Sequence, residues 1–100
     1  MDLDDVVAQL NQHQKRASYG AVAGVLGVAP RGLMARRPKN HRNSWLVAAT
    51  TNQRTGSRRG WPTGYTDDQI DPDCLRQIDR HPDDFIKDKE VLRQWLFTHK

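Results

Sequence analysis

The sequence is poor in cysteine and lacks long apolar runs, and each of these absences excludes a class of protein. Its single cysteine, Cys74, excludes an internal disulfide. No apolar run approaches the length of a membrane-spanning helix, and the acidic opening MDLDDVVAQL is unlike the basic start of a secretory signal peptide. A chain of 100 residues has room for one domain with one modest core. We therefore expect a cytoplasmic protein of bacterial type with no membrane partner.

Motifs that carry catalysis or hold a ligand are missing as well. The sequence has no Ser-His-Asp or Cys-His arrangement, no phosphate-binding glycine loop, no dinucleotide motif and no paired carboxylates in an apolar setting. Nothing beside Cys74 resembles an activating base, which favours an inert buried thiol. His13 and His41 have no cysteine or histidine at metal-ligand spacing. The prediction is a non-enzymatic binding protein without cofactor or metal.

Acidic residues are absent from the middle of the chain. Residues 6–66 include no Asp or Glu but hold ten basic residues, a formal charge of +10. Residues 1–5 and residues 67–100 each carry −3, which leaves the net charge of +4. Because solvated surfaces normally mix both signs, this segregation predicts an anionic partner. The alternative is a basic surface without a dedicated partner.

The stretch over residues 18–37 has the pattern of two short helices joined by a tight turn. Ser18 can cap the first helix, and Gly27 can end it in the left-handed conformation. Pro30 suits the first position of the second helix. With the small residue Ala23 at the crossing point, the spacing matches most of the helix-turn-helix pattern. An ordinary pair of packed helices in a small core is the alternative.

The segments on either side predict a scaffold and a wing. Apolar residues recur at helical spacing near the N-terminus, so we expect an amphipathic helix over about residues 3–14. The run SWLVAATT, residues 44–51, predicts a strand. The basic, glycine-containing loop that follows to Gly60 would complete a wing over residues 44–60. Residues 61–65, WPTGY, are expected to form a packed aromatic turn rather than a binding platform.

Residues 66–100 are acidic and predict C-terminal helices. Asp71 before Pro72 is one helix start signal, and Pro82 followed by two aspartates is another. The last helix should return to close the core. The predicted fold class is therefore a single domain, mainly α with a small β-hairpin, of winged helix-turn-helix type with C-terminal helices.

The residues YGAVAGVLG, then Pro30-Arg31, a basic linker and SWLVAATTNQRTG, resemble one family. It is the DNA-binding domain of the O6-alkylguanine DNA alkyltransferases and alkyltransferase-like proteins, and the resemblance covers about residues 18–56. It implies a winged fold with its recognition helix in the minor groove and base flipping as the mechanism. Tyr19 would match the tyrosine that contacts a phosphate near the extruded base. Arg31 would match the arginine that fills the space the base leaves.

The family's active-site signature, Pro-Cys-His-Arg, is absent from this sequence. The residues near that place are Asn43-Ser44-Trp45-Leu46, which argues against alkyl transfer. Alkyltransferase-like members carry a tryptophan at the cysteine position, so Trp45 is a candidate for a lesion pocket. A position in the core is the alternative for Trp45.

These observations together predict binding of double-stranded DNA, with a possible relation to lesion recognition or repair. Two alternatives stay open. One is an RNA- or ribosome-associated basic protein, less favoured because Trp45 is the one aromatic residue between Arg31 and Arg59. The other is an adaptor that docks an acidic protein through the same basic residues. The candidate nucleic-acid-binding residues are Tyr19, Arg31, Arg36, Arg37, Lys39, Arg42, Arg54, Arg58 and Arg59.

Overall fold

The computed structural model describes residues 2–33 and 37–99, with the backbone alone at Arg31. Four α-helices and a small sheet make up this part of the chain, so the expected fold class, mainly α with little β, is confirmed. The helices are α1 (Leu3–His13), α2 (Tyr19–Leu26), α3 (Pro72–Arg80) and α4 (Lys89–Thr98). The strands are β1 (Ala17–Ser18) and β2 (Leu46–Val47), and 3-10 turns lie at Pro30–Gly32, Arg42–Trp45 and Asp67–Gln69. None of these helices is both long and apolar enough to cross a bilayer.

Helix α1 forms where its apolar spacing predicts a helix. Asp2 and Asp5 satisfy each other's backbone N–H groups in a capping box. The helix ends at Gln14, which adopts the left-handed conformation with φ of 51°. Its apolar face is buried against α2 and against the 3-10 turn that carries Trp45. The buried residues of this face are Leu3, Val6, Val7 and Leu10.

Helix α2 confirms the first half of the predicted helix pair. The Ala21 N–H donates to the Ser18 hydroxyl (3.0 Å), and Gly27 ends the helix with φ of 71°. Its main packing partner is α4, and this approach is close at Gly24. A Cβ there would lie 2.8 Å from Cβ of Lys89, so glycine is needed for the two helices to meet.

The second helix of the pair differs from the prediction. After Pro30 the chain forms a 3-10 turn over Pro30–Gly32 instead of starting an α-helix. The Leu33 N–H closes this turn on the Pro30 carbonyl at 3.3 Å. Residues 34–36 of the predicted helix, including Arg36, fall outside the described residues, and Arg37 has no regular secondary structure. The described segment therefore supports one helix followed by a tight turn.

The strand predicted over residues 44–51 is also corrected. Its first two residues, Ser44 and Trp45, belong to a 3-10 turn that local side-chain bonds stabilise. The Asn43 N–H donates to Asn40 Oδ1 (2.9 Å), and the Ser44 hydroxyl donates to the His41 carbonyl (2.6 Å). What remains is β2, which pairs in parallel with β1 in the register Ala17–Leu46. The predicted β-hairpin is thus a parallel two-stranded sheet.

The C-terminal helices are predicted in number, but one start is wrong. Asp71 caps α3 as expected, its side chain accepting from the Asp73 N–H. The signal at Pro82 does not start a helix; residues 82–85 form a turn, and α4 begins after Asp88, whose side chain accepts from two N–H groups. Ile86 between them pairs with Ala17 beside the sheet.

Cys74 and Trp45 lie in the shared core of these elements. The Cys74 thiol is fully buried, and burial raises its pKa to about 12, so it stays protonated at neutral pH. The Trp45 indole is 1% exposed, and its N–H donates to Asn11 Oδ1 of α1 (3.1 Å). A lesion pocket at Trp45 would need an accessible indole, which this conformation does not provide.

Candidate nucleic-acid interface

The predicted wing is a basic loop closed by one pair of backbone hydrogen bonds. Asn52 and Ser57 exchange N–H···O bonds of 3.0 Å each, and Gly56 takes a positive φ of 73° inside the turn. We call residues 52–59 the basic loop. It is a tight turn on a single antiparallel bridge rather than a strand hairpin, and it presents three exposed arginines: Arg54, Arg58 and Arg59.

The basic loop is fixed to the sheet at its C-terminal end. The Gly60 N–H donates to the Ala48 carbonyl (2.8 Å), and the Ala48 N–H donates to the Trp61 carbonyl (3.0 Å). Gly60 has φ of 81°, and a Cβ at this position would meet the Pro82 carbonyl oxygen at 2.8 Å. Glycine is therefore required where the loop passes the segment before α4.

Residues 61–65, which we call the aromatic turn, gather three of the predicted site residues. The Arg58 guanidinium lies over the Trp61 ring, 4.3 Å from its centroid. The Thr63 N–H donates to the Tyr19 hydroxyl oxygen (2.9 Å). The Lys39 side chain lies over Gly64, where an added Cβ would be 3.1 Å from Lys39 Cε. Arg58, Tyr19 and Lys39 thus contact one short segment, although they are distant in sequence.

Tyr19, which contacts the aromatic turn, and Tyr65, which belongs to it, are both protonated at neutral pH. Burial raises the pKa of Tyr19 and raises the pKa of Tyr65 to about 12. Because the Tyr19 oxygen accepts from Thr63, its own hydroxyl hydrogen is left to donate. A phosphate oxygen is a suitable acceptor for such a donor.

The three arginines of the basic loop differ in their partners. Arg59 pairs with Asp83, Nε to Oδ1 at 3.0 Å, across an exposed ion pair. Arg58 is held on Trp61 through its planar face, so its N–H groups stay available. No hydrogen-bond or ion-pair partner for the Arg54 guanidinium occurs among the described residues. Arg54 and Arg58 are therefore the cations of the loop that are not neutralised by a carboxylate.

A second basic group lies at the start of α1. Arg37 pairs with the Asp4 carboxylate, Nη1 to Oδ1 at 2.8 Å. Arg42 donates to the Asp4 backbone carbonyl at 3.2 Å. Both arginines are exposed, so a pair of this kind stabilises the fold by roughly 0–1 kcal/mol and leaves the cations open to exchange with another anion. Of the predicted residues whose side chains are described, Arg37 and Arg42 thus lie at Asp4, and the others lie on the basic loop or at the aromatic turn.

Two of the predicted site residues are not placed. The backbone of Arg31 lies in the 3-10 turn after α2, but its side chain is not described, and Arg36 lies outside the described residues. The minor-groove role that the resemblance implies for Arg31 stays a prediction.

Arg16 shows a structural role that sequence reasoning missed. Arg16 is one of the ten basic residues between positions 6 and 66 that predict an anionic partner, yet its side chain is fully buried. The guanidinium donates to the carbonyls of Gly60 (2.9 Å) and His81 and lies over Phe85. Burial lowers the pKa of Arg16, which nevertheless remains charged as arginine does in proteins. Arg16 thus stabilises the chain where the basic loop ends, at Gly60, and no local sequence signal predicts these partners.

Comparisons with protein-family models, with curated proteins and with solved structures found no significant match.

Proposed function

We propose that the chain binds DNA without catalysis, through the basic loop, the aromatic turn and the cations beside them. The observation that carries the proposal is the meeting of Arg58, Tyr19 and Lys39 on residues 61–65, which directly follow the basic loop with its unpaired Arg54. This arrangement offers two cations without a carboxylate partner, a lysine and a hydroxyl donor along one stretch of surface. Such donors bind phosphate oxygens regardless of base sequence.

The charge distribution supports the same conclusion. All of these groups come from residues 6–66, the span that contains no Asp or Glu. Two other arginines of this span, Arg37 and Arg59, form ion pairs with carboxylates, and both pairs are exposed. A polyanion can exchange with an exposed carboxylate at little cost. Binding should therefore be electrostatic, with release of counterions from the nucleic acid.

A titration of labelled 16-base-pair duplex at 50 and 200 mM salt tests this proposal. If about four phosphates are contacted, the logarithm of affinity falls with a slope of about −3.6 against the logarithm of salt, roughly a 150-fold loss over this range. Arg54→Ala and Arg58→Ala should each lower both the affinity and the slope. Arg93→Ala is the matched control, because Arg93 pairs within α4 with Glu90.

Three outcomes would contradict DNA binding. One is no binding at 50 mM salt, and another is binding that does not change with salt. The third is an equal loss for Arg54→Ala and Arg93→Ala. Tighter binding of an acidic protein, or of structured RNA over duplex, would favour the corresponding alternative function instead.

A further inference from the structure

A cleft of about 450 Å³ opens beside the aromatic turn, between Trp61 and α3. Its volume lies in the range of small-ligand sites. The α3 side of the cleft is one helical face, because its residues recur at three, four and seven positions after Pro72. The lining residues are Trp61, Pro72, Leu75, Arg76 and Asp79.

The cleft combines an apolar interior with charges of both signs. Trp61, Pro72 and Leu75 give it apolar surface, whereas Arg76 and Asp79 bring polar groups. Arg76 is engaged by Asp73 in the same helix, Nη1 to Oδ1 at 3.1 Å. The Asp79 carboxylate can accept from an N–H donor such as the exocyclic amino group of a base. A flat, partly polar ring suits these walls better than an aliphatic chain does.

Trp61 is held firmly enough to serve as a stacking surface. Its backbone carbonyl accepts from the Ala48 N–H (3.0 Å), and its backbone N–H donates to the Arg58 carbonyl (2.9 Å). The side chain is partly exposed, and it packs at the edge of the core. Because the core and Arg58 contact the indole itself, it loses little conformational freedom when a ring stacks on it, and base–aromatic stacking is tolerant of sequence.

The charges around Trp61 set the direction in which a strand would lie. Arg58 covers part of the indole and can bind a phosphate through its N–H edge. Asp79 on the other side would repel a phosphate. A nucleotide placed here would therefore keep its phosphate toward the basic loop and direct its base toward α3.

We propose that the Trp61 cleft takes one unpaired base of a nucleic acid strand whose phosphates lie on the basic loop. This inference rests on the proposed DNA binding and adds a preference for junctions, overhangs or single strands. It uses none of the positions that the family resemblance associates with a base, since Tyr19, Arg31 and Trp45 do not line the cleft.

The test compares a blunt duplex with the same duplex carrying a three-nucleotide 3′ overhang, as DNA or as RNA. The wild-type chain should bind the overhang about tenfold more tightly, because only an unpaired base can stack on the indole. Trp61→Ala should abolish that preference, so that the variant binds blunt and overhang duplex with equal affinity. Trp61→Phe should retain most of it, and Arg54→Ala should weaken the binding of both DNAs.

A second variant separates loss of stacking from loss of folding. Leu75→Trp fills the cleft while leaving Trp61 in place, and it should remove the overhang preference with a thermal unfolding curve that stays cooperative. Equal affinity of the wild-type chain for blunt and overhang duplex would overturn the inference and leave DNA binding standing. Absence of binding to either DNA at 50 mM salt would overturn both. The RNA and DNA overhangs together show which nucleic acid supplies the base.

Discussion

Arg16 offers the strictest test of how this fold is held together. The side chain is 0% exposed, and its guanidinium donates to carbonyls of Gly60 and of residues 81, 82 and 84. Arg16→Ala leaves these buried acceptors without a donor and opens a cavity over Phe85. Each buried unpaired acceptor costs about 1–3 kcal/mol. Because only the bonds to Gly60 and His81 are short, we expect a loss of about 3–5 kcal/mol in the free energy of unfolding.

A loss of that size is a large share of the stability of a small domain, which is about 5–15 kcal/mol. It should lower the Tm by about 15–30 °C. Urea unfolding followed by far-ultraviolet circular dichroism measures it, and an unchanged m value would show that the unfolded state is comparable. Arg16→Lys should recover only part of the loss, since an ammonium cannot span the separate carbonyls that the fork reaches.

The neighbouring Lys15→Ala is the matched control. Lys15 pairs with Asp84 at 3.0 Å on the surface, where the Asp84 side chain is 70% exposed. Its removal should cost less than about 1 kcal/mol. If Arg16→Ala and Lys15→Ala were equally mild, the argument that the buried guanidinium organises residues 60 and 81–84 would be refuted.

Three further predictions follow from single contacts. Gly60→Ala should destabilise the fold by about 2 kcal/mol or more, because φ is 81° and the new Cβ would meet the Pro82 oxygen; a urea midpoint equal to wild type would contradict this. Lys15 holds the pKa of Asp84 below its ordinary value, so this pair stabilises the fold above pH 4, and the stabilisation is lost as pH falls through the folded-state pKa. The urea midpoint of Asp84→Asn should therefore change less between pH 5 and pH 2 than the midpoint of the wild type does. Asp83→Asn frees Arg59 and should tighten duplex binding about two- to fivefold at 50 mM salt, whereas Asp67→Asn, the same charge change elsewhere, should tighten it less.

Helix positions were predictable where the signals are local. Ser18, Gly27 and Asp71 each act on backbone groups within a few residues, so their patterns in the sequence predict the observed caps. The apolar spacing of α1 likewise identifies its buried face. These features require no knowledge of the rest of the chain.

The errors arose where distant segments decide the local structure. Pro82 and the aspartates after it resemble a helix start, but the carbonyls of residues 81–84 face Arg16, which lies more than sixty residues earlier. The run SWLVAATT resembles a strand, but its first two residues lie in a 3-10 turn with remote partners: the Ser44 hydroxyl accepts from the Asp71 N–H, and the Trp45 indole donates to Asn11. Propensity and periodicity do not encode such partners.

The charge of the interface could be predicted from the sequence, but the positions and contacts of its side chains could not. The acid-free span predicts the basic side chains, yet the sequence did not show that Arg58, Tyr19 and Lys39 contact the aromatic turn, nor that Arg16 is buried. Trp61 packs against the core as expected, but the sequence did not show that it is also partly exposed and lines a cleft. The contact with Arg58 and the cleft against α3 become evident only in the folded structure.

The short strand β1 joins three stretches of the chain that are far apart in sequence. Leu46–Val47 pairs along it, and Ile86 exchanges backbone bonds with Arg16 and Ser18. A fold that depends on such remote pairing has a high contact order, so we expect it to form slowly and in one cooperative step. A peptide cut out over residues 40–65 would keep the arginines but lose the support beneath them, and the binding surface is therefore a property of the assembled domain rather than of its basic segment.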